Sequence, residues 1–225
     1  MTLKFGCFVT GTDTDIGKTL IAAALLHKCR ERGWRAVGMK PVAAGCAQDV
    51  DGLWHNADVD ILNAASDVRA AAADINPYLF RAAIAPHLAA AHEGVRIESA
   101  RILASFQRLQ AQADAIVVEG AGGFLVPLAD GYDSADLARE LNLPVVLTVG
   151  MRLGCLNHAL LTQEAIAARG LEMAGWVANR VDPAMICFEE NLATLKDCMR
   201  VPLLGVVPFM ARPDALIAAQ NLALP

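Results

Sequence analysis

Gly11-Thr12-Asp13-Thr14-Asp15-Ile16-Gly17-Lys18-Thr19 is the stretch on which the reading of the fold turns. It follows a β-forming run at 3–10, LKFGCFVT, and opens a helical pattern at 18–32. That pattern carries Leu20, Ile21, Ala24 and Leu25 at apolar positions and stops at Gly33. Strand, glycine-bounded loop and helix in this order are the setting of a phosphate-binding loop. Gly17 lets the backbone approach an anion, and successive N–H groups with the positive end of the helix face it. Lys18 reaches the β and γ phosphates in such a loop, and the Thr19 hydroxyl can ligate Mg²⁺. Five residues separate the two glycines here, where the usual motif has four, and Thr12 stands where the first glycine belongs.

Outward from this loop, short apolar runs alternate with longer helical patterns. Strands are expected at 36–39, 115–118, 144–149, 173–178 and 203–207. Helices are expected at 97–113, with Ile102, Leu103, Phe106 and Leu109 on one face, and at 157–169, closed by Gly170. Runs apolar on both faces and separated by helices predict a mostly parallel sheet with helices on both faces, in one α/β domain spanning 1–225. Ligands of such sheets bind beyond the carboxyl ends of the strands. The segments 46–55 and 70–91 show no clear periodicity and read as irregular or alanine-rich.

Composition narrows the function classes. Charged residues make up 19% and hydrophobic residues 55%, which excludes a disordered chain. The net charge of −5 excludes a general nucleic-acid binder, so an anionic ligand requires a local device. No apolar run approaches the ~18–20 residues of a membrane span, and the first ten residues lack the pattern of a signal peptide. The six cysteines are scattered, without a CxxC pair, as expected for reduced thiols of a cytoplasmic protein.

Further candidates follow the strands. Glu119 ends the run at 115–118, the place of a second magnesium anchor, and Gly120-Ala121-Gly122-Gly123 lets the chain pass close to a bulky anion. Lys40, followed by Pro41, ends the second strand and adds positive charge beside a phosphate. Asp58 lies at a helix start, where an acid favours the dipole without any further role. Gly154-Cys155-Leu156-Asn157 opens a helix that could hold a carboxylate. Cys155 with His158 lacks an orienting third group for nucleophilic catalysis. Asn179-Arg180 could read a base edge or form a turn.

In this order GTDTDIGKT, KPVAAG, NAD, VEGAGG, LPVVLTVG, RLGCLNHALLT and GWVANR resemble the dethiobiotin synthetase family of P-loop NTPases. The resemblance implies an ATP-dependent cyclo-ligase that joins CO₂ to 7,8-diaminononanoate through a carbamate and a carbamic–phosphoric anhydride. It implies catalytic roles for Lys18, Lys40 and Thr14, and magnesium ligation by Thr19, Asp58 and Glu119. Nucleotide contacts are implied for Asp15, Ile16, Gly17, Lys18, Thr19, Leu20, Asp58, Glu119, Gly120, Ala121, Gly122, Asn179, Arg180, Val207, Pro208 and Phe209. Substrate contacts are implied for Ala44, Leu153, Gly154, Leu156 and Asn157, the last four supplied from the partner subunit of a homodimer. Ala44 stands where the family carries a hydroxyl residue, and the segment after Pro208 matches the family poorly.

Three rival readings differ in particular residues. Partition and septum-placement ATPases carry a second lysine early in the loop, where this chain has Asp13. Amidating relatives add a glutaminase domain, for which 225 residues leave no room. A plain nucleotide-binding module would not turn over diaminononanoate.

Overall fold

The computed structural model describes residues 3–225. The first half contains β1 (Phe5–Gly11), α1 (Lys18–Glu31), β2 (Ala36–Met39), β3 (Val42–Ala44), β4 (Ala47–Gln48), β5 (Trp54–His55), α2 (Ala57–Ala65), α3 (Ala72–Ile75), β6 (Tyr78–Phe80), α4 (Pro86–His92) and α5 (Ser99–Gln110). The second half contains β7 (Ala115–Glu119), β8 (Pro127–Ala129), β9 (Tyr132–Asp133), α6 (Ser134–Leu141), β10 (Val145–Met151), α7 (Cys155–Ala168), β11 (Met173–Arg180), α8 (Phe188–Cys198), β12 (Leu203–Val207) and α9 (Ala215–Gln220).

Six strands form one parallel sheet in the order β12-β11-β10-β1-β7-β2. Alternation along each strand sends neighbouring side chains to opposite faces. Cys7 and Val9 of β1 pack with Ile21 and Leu25 of α1, Leu62 of α2 and Ala218 of α9. Phe8 between them packs the other way, with Ile102, Phe106 and Leu109 of α5 and Leu137 of α6. Leu147, Val149 and Trp176 continue that second face toward α8, whose Leu192 and Leu195 cover them. Both faces are therefore buried, which is why the six strands carry almost no polar side chains.

Parallel pairing puts every carboxyl end on one edge. β1 lies between β7 and β10, where the direction of strand addition reverses, so the loops after β1, β2, β7 and β10 meet there.

The expected strands are present, with ends shifted: β1 starts at Phe5 and β10 runs on to Met151. α7 starts at Cys155, two residues before the expected boundary. The segment 46–55 is the β4–β5 hairpin. The segment 70–91 holds α3, β6 and α4, and β6 pairs in parallel with β3 outside the main sheet. Helices α6, α8 and α9 were not expected from apolar spacing. Among the described residues, no helix is long and apolar enough to cross a membrane.

Candidate active site

The loop between β1 and α1 is shaped by two left-handed residues, Asp15 at φ 57° and Gly17 at φ 87°. Aspartate is among the few side chains that enter this region at low cost. Between them Ile16 is fully buried and packs against Gly11 and Gly150, fastening the loop to the sheet edge. The Ile16 side chain is thus a core anchor, so the ligand contact that the resemblance implies for this position falls to its backbone. Its carbonyl accepts a 2.8 Å hydrogen bond from Asn179 Nδ2. A Cβ at Gly17 would overlap that same amide nitrogen, so glycine is required there for space as well as for φ.

Asp13 holds the loop from the other side. One carboxylate oxygen accepts the Thr14 N–H at 2.8 Å, the other pairs with Arg152, and the Asp13 carbonyl accepts Lys18 Nζ at 2.9 Å. The position that carries lysine in partition ATPases therefore carries an acid neutralised by an arginine.

Lys40, from the end of β2, is 3% exposed and is the hub of the charged cluster. Its Nζ lies 2.5 Å from Glu119 Oε1, 2.9 Å from Asp58 Oδ2 and 3.2 Å from the Gly120 carbonyl. The Thr19 hydroxyl lies 2.8 Å from Asp58 Oδ1 and 2.9 Å from Glu119 Oε1. Burial lowers the Lys40 pKa, but the charges of Glu119 and Asp58 outweigh it and hold the ammonium above the ordinary lysine value. Burial raises Glu119, against the pull of Lys40, while Asp58, less enclosed, is drawn down by Lys40. Lys18 is brought down to about 8 by burial first and by the Lys40 charge second.

Three oxygen-bearing side chains, Thr19, Asp58 and Glu119, thus converge from α1, α2 and β7. Among the described residues, Glu119 Oε2 is buried without a hydrogen-bond partner. Hard oxygen donors with one unsatisfied carboxylate oxygen fit a magnesium ion bound through one or two carboxylates and substrate phosphates.

These groups line one cavity of about 860 Å³ with Thr14, Asp15, Gly17, Ala121, Gly122 and Gly123. Val42, Ala44, Ala83, Ile84, Ala85, Pro86 and Val126 give it a largely apolar wall. A second cavity of about 210 Å³ holds Asn179, Arg180, Leu20, Pro208 and Phe209, with Asp15 and Gly17 shared between the two. Met210 and Pro213, from the segment that matches the family poorly, also line it.

Several residues singled out in the sequence lie outside the two cavities. Val207 is fully buried in the core and lines neither cavity, because its side chain faces the layer of α1 and α9. Gly120 lies beneath the large cavity and meets Lys40 through its carbonyl instead of lining the wall. Leu153, Gly154, Leu156 and Asn157 lie at the start of α7, outside both cavities of their own chain; the resemblance implies them for a partner subunit's site. Cys155 is buried and burial raises its thiol pKa, which removes it as a nucleophile. Sequence reasoning missed Arg152, Asn56 and the 83–86 segment. Only Asn56 carried a signal, as a helix N-cap beside Asp58.

Comparison with known proteins gives the fold and the family. The septum site-determining protein MinD of Pyrococcus horikoshii, solved with Mg-ADP, superposes with a TM-score of 0.53 over 92% of this chain and 82% of its own, at 17% identity. A ParA family ATPase of Chlorobium tepidum gives 0.54 over 97% and 90%, at 16% identity. At such identities the likeness concerns the fold alone. A family model described as an AAA domain matches residues 6–215. The ATP-dependent dethiobiotin synthetase BioD of Aromatoleum aromaticum is 57% identical over the full length of both chains. Its counterpart in Janthinobacterium is 52% identical over 99% of this chain and 95% of that one. The chain belongs to the ATP-dependent dethiobiotin synthetase family.

Proposed function

We propose that the chain carboxylates 7,8-diaminononanoate with CO₂ and closes its ureido ring to dethiobiotin at the expense of ATP, with Mg²⁺, as a cytoplasmic homodimer. The observation that carries this reading is the meeting of Lys18, Lys40, Thr19, Asp58 and Glu119 in a cavity that also has a largely apolar wall of Val42, Ala44, Ala83, Ile84, Ala85, Pro86 and Val126. A triphosphate suits the charged groups and the alkyl chain of a diamino acid the apolar wall.

The chemistry asks for positioning and charge neutralisation. One amine adds to CO₂ and loses a proton, giving a carbamate. Its oxygen attacks the γ-phosphorus and expels ADP, forming a carbamic–phosphoric anhydride. The second amine attacks the carbamoyl carbon of the anhydride and loses a proton, the five-membered ring closes, and phosphate leaves with the electron pair of the broken C–O bond. Lys18 and the N–H groups of the loop hold the phosphates in line. Lys40, already within reach of Glu119 and Asp58, carries the positive charge that stabilises the moving phosphoryl group and the carbamate. Bound magnesium, held by Thr19, Asp58 and Glu119, would neutralise phosphate charge. Among the described residues no side chain caps the start of α7, and with the Cys155 N–H given to the Arg152 carbonyl, the N–H groups of Leu156 and Asn157 would face the distal carboxylate of a substrate bound to the partner subunit.

The test is phosphate release from Mg-ATP with and without diaminononanoate plus bicarbonate. Release is expected only with both, in step with dethiobiotin. Equal rates without the diamine would refute the reading.

A further inference from the structure

We propose that Asn56 is a positioning residue that couples the Ala44–Gly45 segment of the cavity to the Asp58 carboxylate, an inference resting on the nucleotide-site reading above. Asn56 is 8% exposed. Its Oδ1 accepts the N–H groups of Asp58 at 3.1 Å and Val59 at 3.3 Å, capping α2. Its Nδ2 donates to the Gly45 carbonyl at 2.9 Å and lies 3.5 Å from that of Ala44. The bonds on its two ends fix which way the amide points.

The two ends of this side chain touch different parts of the site. Ala44 lines the cavity, and the next residue, Gly45, has φ 83°, leaves no space for a Cβ beside Ala83, and donates its N–H to the Phe80 carbonyl at 3.0 Å. That contact leaves the turn little room. Asp58 is the second residue of α2, and its oxygens meet Thr19 and Lys40. A shift of the Ala44–Gly45 carbonyls when ligand fills the cavity therefore moves the cap, and with it the Asp58 carboxylate.

The residue type carries the argument. Serine or aspartate caps a helix as well as asparagine does. Aspartate offers no donor and serine, with its shorter side chain, reaches less far, whereas the amide caps α2 through Oδ1 and donates to the Gly45 carbonyl through Nδ2 at once.

The test compares wild type, Asn56→Ser and Asn56→Asp, both of which retain a cap. ATP binding is followed by calorimetry while Mg²⁺ is titrated, with and without diaminononanoate, and thermal unfolding is recorded alongside. Asn56→Ser is expected to need about tenfold more Mg²⁺ for half-maximal binding, the loss of one hydrogen bond. It should also lose the change in Mg²⁺ requirement that diaminononanoate produces in wild type. Asn56→Asp should lose the same response, which separates coupling from its added charge. Lowered thermal stability with unchanged Mg²⁺ requirement would make Asn56 a cap alone and overturn the inference. A wild type that binds no ATP would overturn the nucleotide reading and the inference together.

Discussion

Replacing Lys40 with methionine is expected to destabilise the unliganded chain in a strongly pH-dependent way. Methionine keeps the apolar stem but removes the ammonium 2.5 Å from Glu119, whose side chain is 1% exposed. A buried charge that loses its partner costs about 3–5 kcal/mol. Glu119 has a cheaper escape, which is to take up a proton. Relative to an ordinary value of 4.5, holding that proton at pH 7 costs about 1.4 kcal/mol for each of roughly 2.5 pH units, or about 3.5 kcal/mol. At pH 5 the same step costs under about 1 kcal/mol. In the variant the folded Glu119 pKa lies above the unfolded one, so stability falls as pH rises through that window. Urea unfolding followed by the fluorescence of the buried Trp176 measures it. The double variant Lys40→Met with Glu119→Gln should recover most of the loss at pH 7 and lose the pH dependence. A loss equal at pH 5 and pH 7, or no recovery in the double variant, would refute the buried-pair reasoning.

Lys18 sits near 8 when folded against 10.5 ordinarily, so the unliganded protein should gain stability as pH rises between those values. Phosphate favours the ammonium, so ATP binding at pH 8.5 should take up protons, measured by calorimetry in two buffers of different ionisation enthalpy; no uptake would contradict the assignment. Ala44→Ser should tighten diaminononanoate binding within about tenfold, the worth of one hydrogen bond, and leave ATP affinity unchanged in parallel titrations. Mixing inactive Lys40→Gln with inactive Asn157→Glu under subunit exchange should restore activity if sites are shared across a two-fold dimer. Asn157 is the better target than Gly154, whose φ of 96° makes any side chain strain the start of α7. Verified exchange without recovered activity would place a complete site in each chain.

The main sheet was legible because its strands are apolar on both faces, a pattern that surface elements do not imitate. The phosphate loop was legible because its chemistry is local: one short run supplies the glycines, Lys18 and Thr19. Asp58 was not legible from the residues alone, since a helix-start acid looks the same whether or not Lys40 and Thr19 lie beside it. Arg152 is separated from Asp13 by the whole of the first half of the fold, and no local pattern announces their pairing. The 70–91 segment failed for a different reason. Its short elements are held by contacts with β3 and α5, and alanine-rich runs carry no period to read.

Asp15 and Gly17 form part of the wall of both cavities, and the Ile16 carbonyl between them anchors Asn179. On the proposed reading, with the triphosphate in the larger cavity and the base in the smaller, the loop would act as a gauge block, a fixed spacer between base and terminal phosphate. Substitutions within it should change selection of the base and grip on the phosphates together. Independent tuning is left to the outer walls, Pro208 and Phe209 on one side and Lys40 with its carboxylates on the other. On that reading a change at Pro208 or Phe209 would alter base preference without retuning the phosphoryl chemistry, provided the spacer is left untouched.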